Sequence, residues 1–285
     1  MIRTLGWALR RELWENRWLY LAPLGIAAVL AAGFVGLAFW HPGHVTGAAS
    51  VAGAQGAAAV VEPYALVAGL MMLVGLLVAA IYCVDALYGE RRDRSVLLWK
   101  SLPVSDLVTV LAKLCIPVVV LPVIVWGCTV ALHFVMLVTS VATVAARGES
   151  VALFWSRLHL VPDSFRLLYH LVVLHGLFAA PLYGWLLLVS AWAPRAPFAW
   201  AILPPLAIVF VERVVFGTMY FAELLGSRFG GSNTGPAVPG RSLMDAMMPP
   251  SMWHALVAPG FWVGLLVAAL FVAGTVRVRR SAQPI

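Results

Sequence analysis

Charge is what this sequence has least of. Only 11% of its 285 residues are Asp, Glu, Lys or Arg, and the lysines are two, Lys100 and Lys113. Ordinary soluble domains carry about 25% charged residues. With 62% of the residues apolar as well, a soluble fold of this length could not hide its apolar surface. The composition therefore points to an integral membrane protein. Cysteine is also scarce. Cys83, Cys115 and Cys128 are odd in number, form no C-x-x-C pair and lie in or beside apolar runs. They read as small apolar residues rather than as a disulfide framework or metal ligands. There is no G-x-x-x-x-G-K-[ST] phosphate loop, and neither lysine follows a glycine, so nucleotide chemistry would have to come from a second chain. H-E-x-x-H and G-x-S-x-G are missing too; "GSNTG" at 231–235 has its serine in the wrong place.

What charge there is sits at the ends of apolar runs. The net charge of +7 thus fits topology signals and anionic headgroups better than a nucleic-acid surface. Segments without Asp, Glu, Lys or Arg cover 18–61, 63–84, 114–146, 167–194, 196–211 and 246–276. A spanning helix needs about 20 apolar residues, which places spans near 19–39, 64–87, 107–140, 167–193, 198–222 and 257–276. The Gly-rich "HPGHVTGAASVAGAQGAAAV" reads as a loop. With an inside N-terminus, thirteen Lys and Arg residues fall inside and six outside, while acidic residues split evenly. That bias puts both termini in the cytoplasm.

The N-terminal "MIRTLGWALRRELWENRW" reads as a retained segment. The apolar run after Arg17 is too long for a signal peptide, and Glu12 and Glu15 interrupt the leading positive region. Residues 1–17 fit an amphipathic helix on the inner surface, with Leu5, Leu9 and Leu13 one turn apart. Outside, 223–256 reads as a loop whose part from Ser242 to Leu256 is apolar but too short to cross, an interfacial or re-entrant segment. The fold expected is an all-α integral membrane protein of six transmembrane helices in one domain.

Several polar residues invite a site. Glu212 and Arg213 close the fifth span, where ionisable groups are costly; they read either as part of a substrate path or gate or as a structural pair near the interface. His170 and His175 are five apart, not the four that puts two ligands on one face of an α-helix. Together with the lone His133 they read as packing or hydrogen-bonding residues. Met244, Met247, Met248 and Met252 read as an apolar face in preference to a soft-metal path.

The most charged stretch, "LYGERRDRSVLLWKSLPVSD", joins the second and third spans. "ERRDRSVLLWKSL" can form a short helix with Ser95, Leu98 and Leu102 on one side and Arg91, Arg94 and Lys100 elsewhere. Pro103 ends it, and Ser105 or Asp106 caps the next helix. With its continuation "LVTVLAKL", the stretch resembles the corresponding loop of ABC-2-type permeases, the membrane subunits of ATP-binding cassette exporters. The matching positions are Glu90, Arg91, Arg92, Ser95, Lys100, Leu102, Pro103, Ser105 and Lys113. "SAWAPRAPF" at 190–198 resembles the family's short turn between spans four and five.

The resemblance implies that 88–105 is a coupling-helix loop, in which Leu98 and Trp99 join the matching residues in contacting a cytosolic ATPase. It implies two ATPase subunits, carrying ATP and magnesium, below two permease chains, either two copies of this chain or this chain and a paralogue. It further implies residence in the bacterial inner membrane among its lipids, and export of a lipidic or amphipathic cargo by a chain that is not itself an enzyme. A stand-alone secondary transporter or channel, or a membrane-embedded transferase, is the alternative expectation.

Overall fold

A computed structural model describes residues 2–41, 53–93, 105–148, 151–155, 158–228 and 256–281. Every regular element among them is helical. In chain order they are α1 (Ile2–Glu15), α2 (Trp18–Trp40), α3 (Gly53–Asp85), α4 (Tyr88–Arg92), α5 (Asp106–Ala146), α6 (Val151–Trp155), α7 (Leu160–Phe178), α8 (Ala180–Trp192), α9 (Pro197–Phe216), α10 (Tyr220–Arg228) and α11 (Pro259–Ser281). Five helical stretches are long and apolar enough to cross a membrane, and six if the α7–α8 pair, bent by 50°, counts as one span. This is the architecture of a multi-pass membrane protein.

The core forms where α3, α5, α8 and α11 meet, with α2 laid along α5. Met71, Tyr82, Ile116, Leu121, Met136 and Leu187 are fully buried there. The closest pairing is α8 with α11. Gly184 permits it, since a Cβ there would lie 3.1 Å from the Phe271 Cβ and 3.4 Å from the Ala268 carbonyl. Small residues that let backbones approach are the usual basis of packing between membrane helices. α9 packs on little else and turns Ile202, Leu206 and Phe210 outward.

Three of the described helices carry π-helical segments, α9 at Glu212–Phe216 and two others that meet. In α5 the segment is Ile116–Val120, where Pro117 has no N–H to donate and the ladder widens, closing with Leu121 N–H on the Ile116 carbonyl. In α7 it is His170–Phe178. They touch at Gly176, where a Cβ would overlap the Val118 carbonyl oxygen.

The helices depart from the expected spans in several places, the third running on to Ala146 instead of 140 and the last to Ser281 instead of 276. α3 begins at Gly53, inside the Gly-rich stretch expected to be loop; alanines there favour helix more than the glycines oppose it. α7 begins at Leu160 rather than near 167, because Asp163 and Arg166, paired at 3.4 Å, lie on the helix's exposed side. A ruler that stops at charge cuts such a helix short. The fifth span ends at Phe216 instead of 222. Gly217 adopts the left-handed conformation, φ +68°, which terminates a helix at little cost for glycine. The chain then turns back as α10. Residues 242–255 of the expected interfacial segment lie outside the described residues, as do Arg94–Val104 of the loop between the second and third spans.

Candidate functional site

Charged side chains gather in the interior at one end of the bundle. Lys113, on the buried side of α5, places its ammonium 2.9 Å from Glu12 of α1 and 3.1 Å from Glu90 of α4. Arg279, near the end of α11, donates from Nη1 to the other Glu90 oxygen at 2.6 Å and from Nε to Asp106 at 3.0 Å. The Tyr82 hydroxyl donates to the second Glu12 oxygen at 2.8 Å. Glu12, Glu90, Lys113 and Arg279 are each less than 9% exposed, and Asp106 closes the chain at the rim with 28% of its side chain exposed. The cluster ties the first helix, the end of the second span, the start of the third and the end of the last into one joint.

Local sequence puts each group in place. Ser105 is the N-cap of α5, its hydroxyl accepting from Val108 N–H at 3.4 Å. That leaves Asp106, in the first turn, to face Arg279. Lys113 follows seven residues later, two turns on and on the same side. The chain breaks at 86–87 between α3 and α4, and the break is held by the Ser190 hydroxyl of α8, which accepts from both Leu87 N–H and Tyr88 N–H at 2.9 Å. Arg91 reinforces it, donating to the Ser190 carbonyl at 3.1 Å and the Ala193 carbonyl at 2.5 Å. Its Nε–H has no acceptor among the described residues. The turn it reaches, just after α8, includes Ala196 in the left-handed region, φ 48°, and brings Trp192 against Trp200 at 4.9 Å.

The expected site residues thus separate. Glu90 and Arg91 are buried structural members of the joint, and Ser105 is a helix cap. Arg92 is exposed and pairs with Asp93 at 3.1 Å. Ser95, Leu98, Trp99, Lys100, Leu102 and Pro103 lie outside the described residues. At the far end of α9, Glu212 faces forward along the chain. Its carboxylate accepts from the Thr218 hydroxyl at 2.9 Å, Tyr220 N–H at 2.7 Å and Phe221 N–H at 2.9 Å, capping α10. Arg213 donates to the Gly217 carbonyl at 3.4 Å. The cleft between α9 and α10 is apolar apart from Glu212, lined by Ile208, Val211, Phe216, Phe221 and Leu224. α10 ends in Arg228, whose guanidinium lies 4.5 Å over the Phe178 ring and donates to the Gly260 carbonyl at 2.9 Å. Gly264 makes room for it, since a Cβ there would overlap Nη1.

Sequence reasoning missed three members of this picture. Glu12 is one; Leu9 and Leu13 beside it pack on the protein core, so the stripe expected to lie on lipid faces the bundle instead. Arg279 at the end of the last span is the second; neither residue's sequence surroundings, "WALRRELWE" or "VRVRR", mark it for burial. The third is the histidine pair. Five residues apart, His170 and His175 diverge on an α-helix, but the wider π-helical winding brings their rings to 5.3 Å. His175 Nδ1, buried beside a small enclosed cavity with Tyr183 and Met72 in its wall, has no partner among the described residues. Groups of three or more metal-ligating side chains do not occur among the described residues. Compared with known proteins, the chain matches no family model, no curated protein and no solved structure.

Proposed function

We propose that this chain is the transmembrane permease subunit of an ATP-driven exporter of the ABC-2 type, moving a lipidic or amphipathic cargo with energy from a separate cytosolic ATPase. Supporting this reading is the way both roots of the 88–105 loop are anchored. On the incoming side Glu90 and Arg91 are buried, and on the outgoing side Asp106 and Lys113 are tied to the same ion pairs. A force delivered to these two roots acts on groups that are already ion-paired or hydrogen-bonded. It reaches α1, the second and third spans, the turn after α8 and the last span together. Such a joint suits a loop pressed from below by a motor, since interfaces of this kind switch between discrete arrangements rather than deform continuously.

The apolar cleft between α9 and α10 and the outward Ile202, Leu206 and Phe210 offer an amphipathic cargo a surface at the bilayer. The six-span arrangement, the inside termini and the pairing of two permease chains belong to this proposal.

The test is purification from native membranes through a tag on the permease, with the eluate assayed for a bound cytosolic ATPase. A co-purifying ATPase whose turnover changes when the permease is reconstituted supports the reading; an active chain with no ATPase present overturns it. Leu98→Pro is the sharper variant, because Glu90 and Arg91 also hold the fold. It is expected to leave insertion intact and to uncouple hydrolysis from transport, and normal coupling in a well-expressed Leu98→Pro protein would remove the docking role of the loop.

A further inference from the structure

The first helix has two faces with different partners. Glu12, Leu9 and Leu13 face the bundle, where Glu12 meets Lys113 and Tyr82. Trp7, Arg10 and Trp14, spaced three and four apart, form one stripe on the other side. The indoles are 68% and 63% exposed, unusual for tryptophan on a surface helix unless something covers them. Arg10 lies between them, its guanidinium carbon 5.8 Å from the Trp7 ring and 4.6 Å from the Trp14 ring. Ring contacts of this kind use none of the guanidinium's N–H donors, which remain to bind an oxyanion.

Charge on the helix favours an anion there. Arg3 and Arg17 are exposed as well. The exposed acid of the helix, Glu15, is held by Arg11 at 2.8 Å. No hydrogen bond or ion pair joins Arg10 to a carboxylate among the described residues. Position decides which anion. Only Asn16 and Arg17 separate α1 from α2, a helix apolar enough to cross a membrane, and α2 presents Leu21 and Leu24, more than half exposed, in its first two turns. The cationic stripe is therefore tethered at the level where a bilayer carries its headgroups, next to side chains that meet acyl chains. Tryptophan at that level is the expected anchor, and arginine forks match phosphate oxygens.

We propose that the Trp7–Arg10–Trp14 face binds the phosphate of an anionic phospholipid in the leaflet on which α1 lies, and that the bound lipid holds α1 down so that Glu12 stays in the Lys113–Tyr82 pocket. Lipid composition would then act on the buried ionic joint through one helix. The proposal requires only a membrane-embedded chain and is independent of any ATPase partnership.

The full chain is purified in detergent, and its binding of phosphatidylglycerol and of phosphatidylcholine is measured by native mass spectrometry. Wild type is expected to prefer phosphatidylglycerol. Arg10→Gln should weaken that binding about fivefold, as expected for one arginine at a charged bilayer surface, and Trp14→Leu should weaken it as well, while Arg195→Gln, at an exposed arginine of the α8–α9 turn, leaves it unchanged. Inorganic phosphate at millimolar concentration should not compete. In nanodiscs, amide exchange across Leu9–Leu13 should slow when phosphatidylglycerol replaces phosphatidylcholine, and Arg10→Gln should abolish that difference. Wild-type lipid preference in Arg10→Gln and Trp14→Leu overturns the site. An equal loss in Arg195→Gln reduces it to general surface charge, and displacement by inorganic phosphate shows a site for the free ion in place of the lipid.

Discussion

Lys113 stands between two carboxylates that the chain supplies from far apart, Glu12 at a separation of 101 residues and Glu90 from the end of the second span. Burying one ammonium costs several kcal/mol, which is recovered only if its partners are in place. The converse also holds. Lys113→Met removes the cation between two buried carboxylates, stranding Glu12 and leaving Glu90 to Arg279 alone, and should cost about 3–5 kcal/mol, read as a lower thermal midpoint and a smaller monodisperse fraction. Adding Glu12→Gln should restore part of that loss, because the stranded charge is then removed, and the non-additivity of the pair measures their coupling. Lys113 and Glu90 belong to a run whose charge stands out in an apolar sequence. Glu12 and Arg279 as their partners were not legible, since nothing local distinguishes a buried glutamate on an amphipathic helix from an exposed one.

Among elements, the α9–α10 turn shows how a side chain rather than a charge pair sets the path of the chain. Glu212 and Arg213 are adjacent, yet each turns to a different backbone target. The glutamate serves the unpaired N–H groups at the start of α10, where the helix dipole also favours a negative charge. Glu212→Ala should free the Tyr220 and Phe221 amides, speed their hydrogen exchange and loosen α10 by about 1–2 kcal/mol. Transport that survives the substitution at wild-type protein levels would leave the carboxylate a cap and nothing more. The break between α7 and α8 and the meeting of the two π-helical segments are likewise matters of elements. Periodicity assumes 3.6 residues per turn, so it could not bring His170 to His175; only a wider winding does.

At the scale of the molecule, the distribution of Lys and Arg and the position of the ionic joint make one prediction together. The joint contains α1, the end of the second span, the start of the third and the end of the last. In the proposed topology all four lie on the cytoplasmic side, with the Gly217 turn on the other. Single cysteines introduced at Arg280 and at Gly217, in a chain lacking its native three, should react with a membrane-impermeant maleimide from opposite sides of the membrane. Reaction from the same side would break the topology and with it the placement of the 88–105 loop beside a cytosolic partner.

Composition alone pointed to a membrane, with 62% of the residues apolar, and charge-free lengths located the apolar helices to within a few residues at most ends. Local chemistry also offered Ser105 or Asp106 as the cap of the third span, and the structure uses Ser105. Which charges meet was settled only by the packed bundle. Glu90 lies 189 residues from Arg279, and Asp106 lies 173 residues from the same guanidinium. The physical reason is that a lone charge on a helix is equally well placed for solvent or for burial, and burial becomes tolerable only when helices distant in the chain bring its counter-charge to within about 3 Å.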